Sequence, residues 1–318
     1  MDFQAMVKSE NTDECFDGWK PYRDELTDTI VNGIEDYYRR KKLIDSGKKQ
    51  FFNAYDMEQI IKELGKKPTL AIWGAGGCND IDISKLAKYF KLVLIDHNTR
   101  WIEATRKKYN LRKMDCVTID LKFWDISQDD YHMFEALVKD KEPIDEIEGF
   151  FYDLIAKMSK IDYQSMPSFD FSVGVGLFSQ LNSRFAAMAH INEYPYDITG
   201  ILFKINQLAV ECTMDAISKM TNNAIVLGYE ERVLYDASSD EAELIVDALN
   251  EARREEFYNS GTYGKNLNSE VWGNQELCEY IKEGLEKNSL EYIAEKNILW
   301  CFTSDKFYIM NVPIFRIQ

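Results

Sequence analysis

The chain reads as an α/β protein: a Rossmann-like, mostly parallel sheet of seven strands, preceded by a helical cap and ended by an antiparallel hairpin. Three observations predict this. Apolar runs at Thr69-Leu-Ala-Ile-Trp73, Lys91-Leu-Val-Leu-Ile-Asp96 and Asp115-Cys-Val-Thr-Ile-Asp-Leu121 follow one another, the first two separated by an amphipathic segment from Ile81 to Phe90. The first run breaks directly into Gly74-Ala-Gly-Gly77, and the next two run into acids, Asp96 and Asp120. Near the end, two apolar runs flank Thr303-Ser-Asp-Lys306, which is a hairpin signal.

Residues 14–64 read as helical and polar-rich. Trp19-Lys-Pro-Tyr22 opens a segment in which Leu26, Ile30, Ile34 and Tyr38 recur at helical spacing, and a second helix runs from Asn53 toward Leu64. This predicts a cap over 1–64 and a main domain over 65–318. A fourth apolar run, Phe169 to Leu181, passes into small residues and a polar pair, and Asp170 at its start reads as structural. Phe203 to Met220 reads as a long amphipathic helix, Asn222-Asn223 as a turn, and Ala224 to Tyr229 as the fifth strand. Glu230-Glu-Arg232 then reads as a solvated strand end. A charged helix from Glu241 to Tyr258, a glycine- and asparagine-rich stretch from Asn259 to Ser269, and a helix from Gln275 to Lys287 precede the hairpin. The stretch before that last helix is either a linker or a loop near a binding site.

The glycine turn and the acid at Asp96, about 20 residues beyond Gly74, are how a nucleoside site is built: glycines let a ligand approach the main chain, and a terminal carboxylate accepts from a ribose diol. A dinucleotide fold wants a third glycine where this chain has Asn79, and Asp80 next to it would repel a pyrophosphate. An acidic turn suits a ligand that carries an ammonium and a sulfonium, as S-adenosylmethionine (SAM) does. An NAD-dependent oxidoreductase is accordingly the weaker alternative.

With these motifs, the segment from Thr69 to Glu231 resembles the class I SAM-dependent methyltransferases. It is similar to uncharacterised bacterial members whose first motif reads Gly-x-Gly and then Asn-Asp-x-Asp, and whose fourth strand ends in Ser-Gln-Leu. The resemblance implies SAM or S-adenosylhomocysteine (SAH) as cofactor, with Gly74, Ala75, Gly76 and Gly77 beneath its methionine part and Asp96 on the ribose hydroxyls. It further implies His97 against the adenine, Asp120 accepting from the adenine amino group, and the Leu121 amide addressing the ring. Gly174 and Val175 would offer carbonyls to the methionine ammonium. Where the family carries an acid two residues before the first glycine this chain has Ile72, and Asp80 or Asp82 is the acid available instead. By the same resemblance the N-terminal helices are a lid over the cofactor cleft or a plain packed extension, with Trp19, Tyr22, Tyr37 and Tyr38 the aromatics to line it. Ser179-Gln180 is either an acceptor-side pair or the cap of the next helix. No general base is assignable from sequence, and transfer from a sulfonium is driven largely by alignment. A non-catalytic cofactor-binding protein is the competing reading.

Composition bounds the rest. A formal charge of −16 argues against a nucleic-acid partner and for a small-molecule or peptide acceptor, methylated at O or N. The basic runs Arg39-Arg-Lys-Lys42 and Arg106-Lys-Lys108 read as solvated helix faces. No run approaches the ~18 apolar residues of a membrane helix, and the start carries no secretory pattern, so a cytoplasmic protein is expected. The six cysteines, at 15, 78, 116, 212, 278 and 301, lack Cys-x-x-Cys spacing and read as free, largely core thiols. With three scattered histidines, no metal centre is expected.

Overall fold

The computed structural model of the chain describes residues 17–46, 55–96, 99–112, 116–120, 128–158, 167–260, 267–303 and 306–318. Helix α1 (Lys20–Ser46) and α2 (Met57–Leu64) lead into β1 (Thr69–Trp73), α3 (Ile83–Tyr89), β2 (Lys91–Asp96), α4 (Thr99–Lys108) and β3 (Cys116–Asp120). Helices α5 (Gln128–Lys139) and α6 (Ile144–Met158) precede β4 (Phe169–Val175). There follow α7 (Ser183–Ile191), α8 (Thr199–Met220), β5 (Thr221–Tyr235), α9 (Ser239–Ser260), α10 (Asn274–Glu286), β6 (Leu290–Cys301) and β7 (Lys306–Ile317). No helix among the described residues is long and apolar enough to cross a membrane.

The strands form one sheet in the order β3-β2-β1-β4-β5-β7-β6. The first five are parallel, and β7 lies antiparallel between β5 and β6. This is the seven-stranded α/β architecture expected from sequence, with its terminal hairpin. The chain leaves β1 toward β2 and β3, then returns to β4 on the other side of β1, so the direction of winding reverses between β1 and β4. Crevices open at such a reversal, beyond the carboxyl ends of the strands.

Both faces of the central strands are covered. Alternation along each strand sends Leu70, Ile72, Leu92, Leu94, Phe171 and Val173 into one layer, and Ala71, Trp73, Val93, Ile95, Ile225 and Leu227 into the other. The first layer is closed by α1, whose Leu26, Ile30 and Ile34 have no solvent exposure. Each such side chain contributes on the order of 1.5–3 kcal/mol by leaving water. Gly33 lets α1 approach β7 closely, since a Cβ there would fall 1.8 Å from Ile314 Cδ1 and force that side chain to move. The opposite layer is closed by α8 and α10 through Val210, Met214, Ile217, Leu277 and Ile281. A satellite core joins α5, α6, α7 and α8 around Phe134, Phe150, Phe151 and Phe185.

Three expectations are corrected. Asn222 and Asn223 lie inside β5 rather than in a turn, because α8 passes straight into the strand at Thr221. Glu230 and Glu231 are not a solvated end: β5 continues to Tyr235 along β7, leaving them 5% and 6% exposed. Arg106 is buried, its guanidinium held by Glu103 at 2.8 Å and by the Leu111 carbonyl at 2.8 Å, instead of lying on a solvated face. Asp170 is structural as expected, accepting from the Thr69 amide and hydroxyl and so pinning β4 to β1. The described cysteines are free, and Cys78, Cys116 and Cys278 are buried. Cys301, at the end of edge strand β6, is exposed.

Candidate active site

Beyond the carboxyl ends of β1, β2 and β4 the glycine loop turns back on itself. Gly74 is exposed and takes φ +67, and a Cβ there would lie 2.7 Å from Leu177 Cδ1, so only glycine lets the β1 and β4 ends close together. The loop is fastened to β2 twice. The Ala75 amide donates to the Ile95 carbonyl at 3.0 Å, and the Gly76 amide donates to Asp96 Oδ2 at 2.8 Å. From α4, the Thr105 hydroxyl donates to the Gly76 carbonyl, and the Tyr109 hydroxyl donates to the Cys78 carbonyl at 2.9 Å.

Asp82 is the N-cap of α3, accepting from the Lys85 amide at 3.0 Å. Its own amide donates to Thr27 on α1, while Arg23 Nη1 donates to the Asn79 carbonyl at 3.0 Å. The first turns of α1 are therefore docked on the glycine loop. Asp82 being spent as a cap, Asp80 is the acid left facing inward. Burial, and behind it the nearby Glu230, push the Asp80 carboxyl up to about 6, against the opposing pull of its own backbone amide and of Arg23. Cys78 beside it is raised by burial and then by Asp80, which makes it an inert core thiol rather than a nucleophile.

The second half of the site comes from β4 and β5. Gly174 pairs with Trp73 on β1 and with Leu227 on β5, and the Gly176 amide donates to the Gly228 carbonyl at 2.9 Å. The following turn, Phe178–Gln180, carries Ser179 toward β5, where its hydroxyl donates to Glu230 Oε1 at 3.2 Å. Ser179 is thus not the cap of the next helix, which begins after Asn182. Asn274 Nδ2, at the start of α10, donates to Glu230 Oε2 at 2.7 Å, and the Ser269 hydroxyl donates to the Glu230 carbonyl. Gly273 makes this possible: it sits at φ +82, and a Cβ there would meet the Phe178 carbonyl oxygen at 2.2 Å. The described end of the asparagine-rich stretch, Leu267 to Ser269, therefore packs at the site instead of forming a free linker. Its 261–266 portion lies outside the described residues.

The fold gathers Gly74, Ala75, Gly76, Gly77, Asp80, Asp96, Gly174 and Val175 along one edge of the sheet, and Asp120 ends β3 in register with Asp96. His97 and Leu121 lie outside the described residues. Two residues of this corner were misread or only partly read from sequence. Glu230 reads as solvated when the strand is ended at Tyr229, six residues short of its end at Tyr235. Tyr22 was flagged only as one of four aromatics, since helical spacing does not tell which face meets the loop.

The strand order, with its reversal at β1 and antiparallel β7, is that of a Rossmann-like α/β sheet closed by an antiparallel hairpin and is consistent with the methyltransferase fold. No family model and no curated protein matches the chain. Among solved structures, it is similar to the N-methyltransferase NodS from Bradyrhizobium japonicum WM9, at 13% identity over 79% of this chain and 85% of that one, with a TM-score of 0.34. It is also similar to magnesium protoporphyrin IX methyltransferase from Synechocystis PCC 6803 with bound SAH, at 8% identity over 95% and 100% of the two chains and a TM-score of 0.37. A third, a SAM-dependent methyltransferase from Methanosarcina mazei, is 10% identical over 79% and 92%, with a TM-score of 0.38.

Proposed function

We propose that the chain is a SAM-dependent methyltransferase acting at O or N of a small-molecule or peptide acceptor. The observation that carries this is the pairing of an exposed, left-handed glycine with a buried carboxylate at the winding reversal of the sheet. The residues present fit the cofactor. Asp96 accepts from the Gly76 amide, and a carboxylate at this strand end is the kind of acceptor that a ribose diol requires. Asp80, raised by burial, gains from a cation set beside it, and in this reading it takes the methionine ammonium with the Gly174 and Val175 carbonyls. Gly74 to Gly77 pass beneath the methionine part, and His97, Asp120 and Leu121 belong to the adenine end.

When bound, SAM supplies an electrophilic methyl on a sulfonium. The chain's own residues supply position: Arg23 docks α1 on the glycine loop, and Asp82 and Thr27 hold α1 and α3 together beside it. In this reading the cap helices α1 and α2 cover a main domain, 65–318. The charge of −16 continues to favour neutral or cationic acceptors over nucleic acid.

Calorimetric titration with SAM, SAH and NAD tests the reading. Heat with SAM or SAH and none with NAD is expected; heat with NAD alone would overturn it in favour of an oxidoreductase. A second reading, a cofactor-binding protein without chemistry, draws on the burial of Tyr22 and Glu230 and on Ile72 in place of the usual acid. Turnover of radiolabelled SAM with a panel of amines and alcohols separates the two.

A further inference from the structure

We propose that the corner between the first turn of α1, the glycine loop and β5 is a subsite for a protonated amine, with the Glu230 carboxylate as anchor and the Tyr22 ring and hydroxyl as wall. This rests on the cofactor reading and names the acceptor class of the same site.

Glu230 is 5% exposed, and the side-chain donors it receives are neutral: Ser179 Oγ at 3.2 Å and Asn274 Nδ2 at 2.7 Å. Among the described residues no cation pairs with it. A carboxylate taken out of water without a cation is costly, and a cationic ligand relieves that cost.

An independent observation marks the same place. Tyr22 is 3% exposed, and among the described residues its hydroxyl has no hydrogen-bond partner. A buried hydroxyl left unpaired is destabilising unless a ligand completes it. The carboxylates acting on that hydroxyl are Asp80 and Glu230, which reinforce burial in raising it. The Tyr22 ring stacks on Trp300 at 4.9 Å and 11°, and Trp19 meets Trp300 edge-on at 5.0 Å. Trp300 Nε1 is likewise without a partner among the described residues.

Charge decides the ligand class. The charged groups acting on Asp80 are Glu230 and the Arg23 guanidinium, and with Asp80 given to the cofactor's ammonium, Glu230 is the carboxylate of the corner left for an acceptor. An ammonium compensates the Glu230 carboxylate and is a donor for the unpaired Tyr22 oxygen, and aromatic faces favour its charge. A neutral hydroxyl leaves the carboxylate uncompensated, and an anion is repelled. The outer side of the same aromatic group already takes a cation, with Lys306 Nζ 4.6 Å from the Tyr308 centroid and 5.4 Å from that of Phe302. Asp80, Gly176 and Ser179 are half-buried and Gly74 is exposed, so the anchor lies beneath a rim that solvent reaches.

The test uses benzylamine, N-methylbenzylamine, benzyl alcohol and benzoate, followed by tryptophan fluorescence and saturation-transfer NMR, with and without saturating SAH. The two amines are expected to bind at least tenfold tighter than benzyl alcohol, and benzoate not at all. Glu230→Gln is expected to weaken amine binding tenfold or more, and Tyr22→Phe threefold or more, with SAH affinity within twofold of wild type in both. Equal binding of benzyl alcohol and benzylamine, or unchanged amine binding in both variants, overturns the subsite. A tenfold loss of SAH in Glu230→Gln also overturns it, by giving Glu230 to the cofactor's own ammonium. Wild type that binds amines but no SAH supports the subsite and fails the cofactor reading, whereas SAH without amines does the reverse. Should Glu230→Gln not fold, as read by circular dichroism, Tyr22→Phe decides alone.

Discussion

The two ends of the site are built on opposite principles. At the β1–β2 end, loop polar groups are spent internally: Gly76 on Asp96, Ala75 on Ile95, Thr105 on Gly76, Tyr109 on Cys78. On the other side, a hydroxyl of α1 (Tyr22) and an indole N–H of β6 (Trp300) have no partner among the described residues, and a buried carboxylate of β5 (Glu230) receives only neutral side-chain donors. The first arrangement shapes a backbone cradle and needs no ligand to be stable. The second stores desolvation cost that a ligand relieves. On the function proposed above, the first end holds the constant part of the reaction and the second selects.

The comparison is broken most strongly at Gly273. Its φ of +82 and the 2.2 Å approach of the Phe178 carbonyl leave no room for a side chain, so Gly273→Ala is expected to lose about 3 kcal/mol or more in urea unfolding. A loss under about 1 kcal/mol would show that α10 does not clamp the β5 end.

Next in size is Asp96→Ala, which removes a charged acceptor from the Gly76 amide. SAH binding is expected to weaken by about 1.5–3 kcal/mol, with a smaller loss of thermal stability from the orphaned amide. Unchanged affinity in calorimetry would remove Asp96 from the cradle.

Asp80→Asn sharpens the comparison through pH. With the carboxyl raised from 3.8 to about 6 in the folded chain, the folded state holds a proton between those values that the unfolded chain has released. Stability therefore falls as pH rises through about 6, and the cost of the buried charge is fully present above it. The variant is expected to gain on the order of 1–2 kcal/mol at pH 8 and nothing near pH 4, by denaturant midpoints across that range. A gain that did not shrink with acid would deny the raised carboxyl.

The smallest effect is at Lys219, which reaches Asp215 at 3.2 Å with both side chains more than half exposed, 62% and 52%. Lys219→Ala is expected to change stability by under about 0.5 kcal/mol and leave SAH and amine binding alone. It serves as the surface control for the other three.

Much of the cradle was legible because its chemistry is local. Glycines at a strand end, an acid at the end of the next strand, and alternation along each run are all set within about 30 residues. The helices α5, α6 and α7 left no comparable mark in the reading, since their aromatic core, Phe134 with Phe151 and Phe185, joins positions far apart in sequence. Ser179 was equally compatible with capping a helix and with facing β5, because both roles ask only for a hydroxyl after a strand.

The sequence by itself determined the alternation of strands and helices, the turn at Gly74 to Gly77, the acids at Asp96 and Asp120, and the closing hairpin. Each follows from short-range sterics and from hydrophobic period, which a linear reading contains. Only the tertiary structure decided that Glu230 is buried, that Asp82 is a cap while Asp80 faces inward, and that the buried Tyr22 hydroxyl lies within the field of both acids. Those facts depend on where β7 covers β5 and where α1 crosses the glycine loop, contacts between residues more than 50 positions apart. Burial and charge environment are properties of such contacts, and no local pattern encodes them.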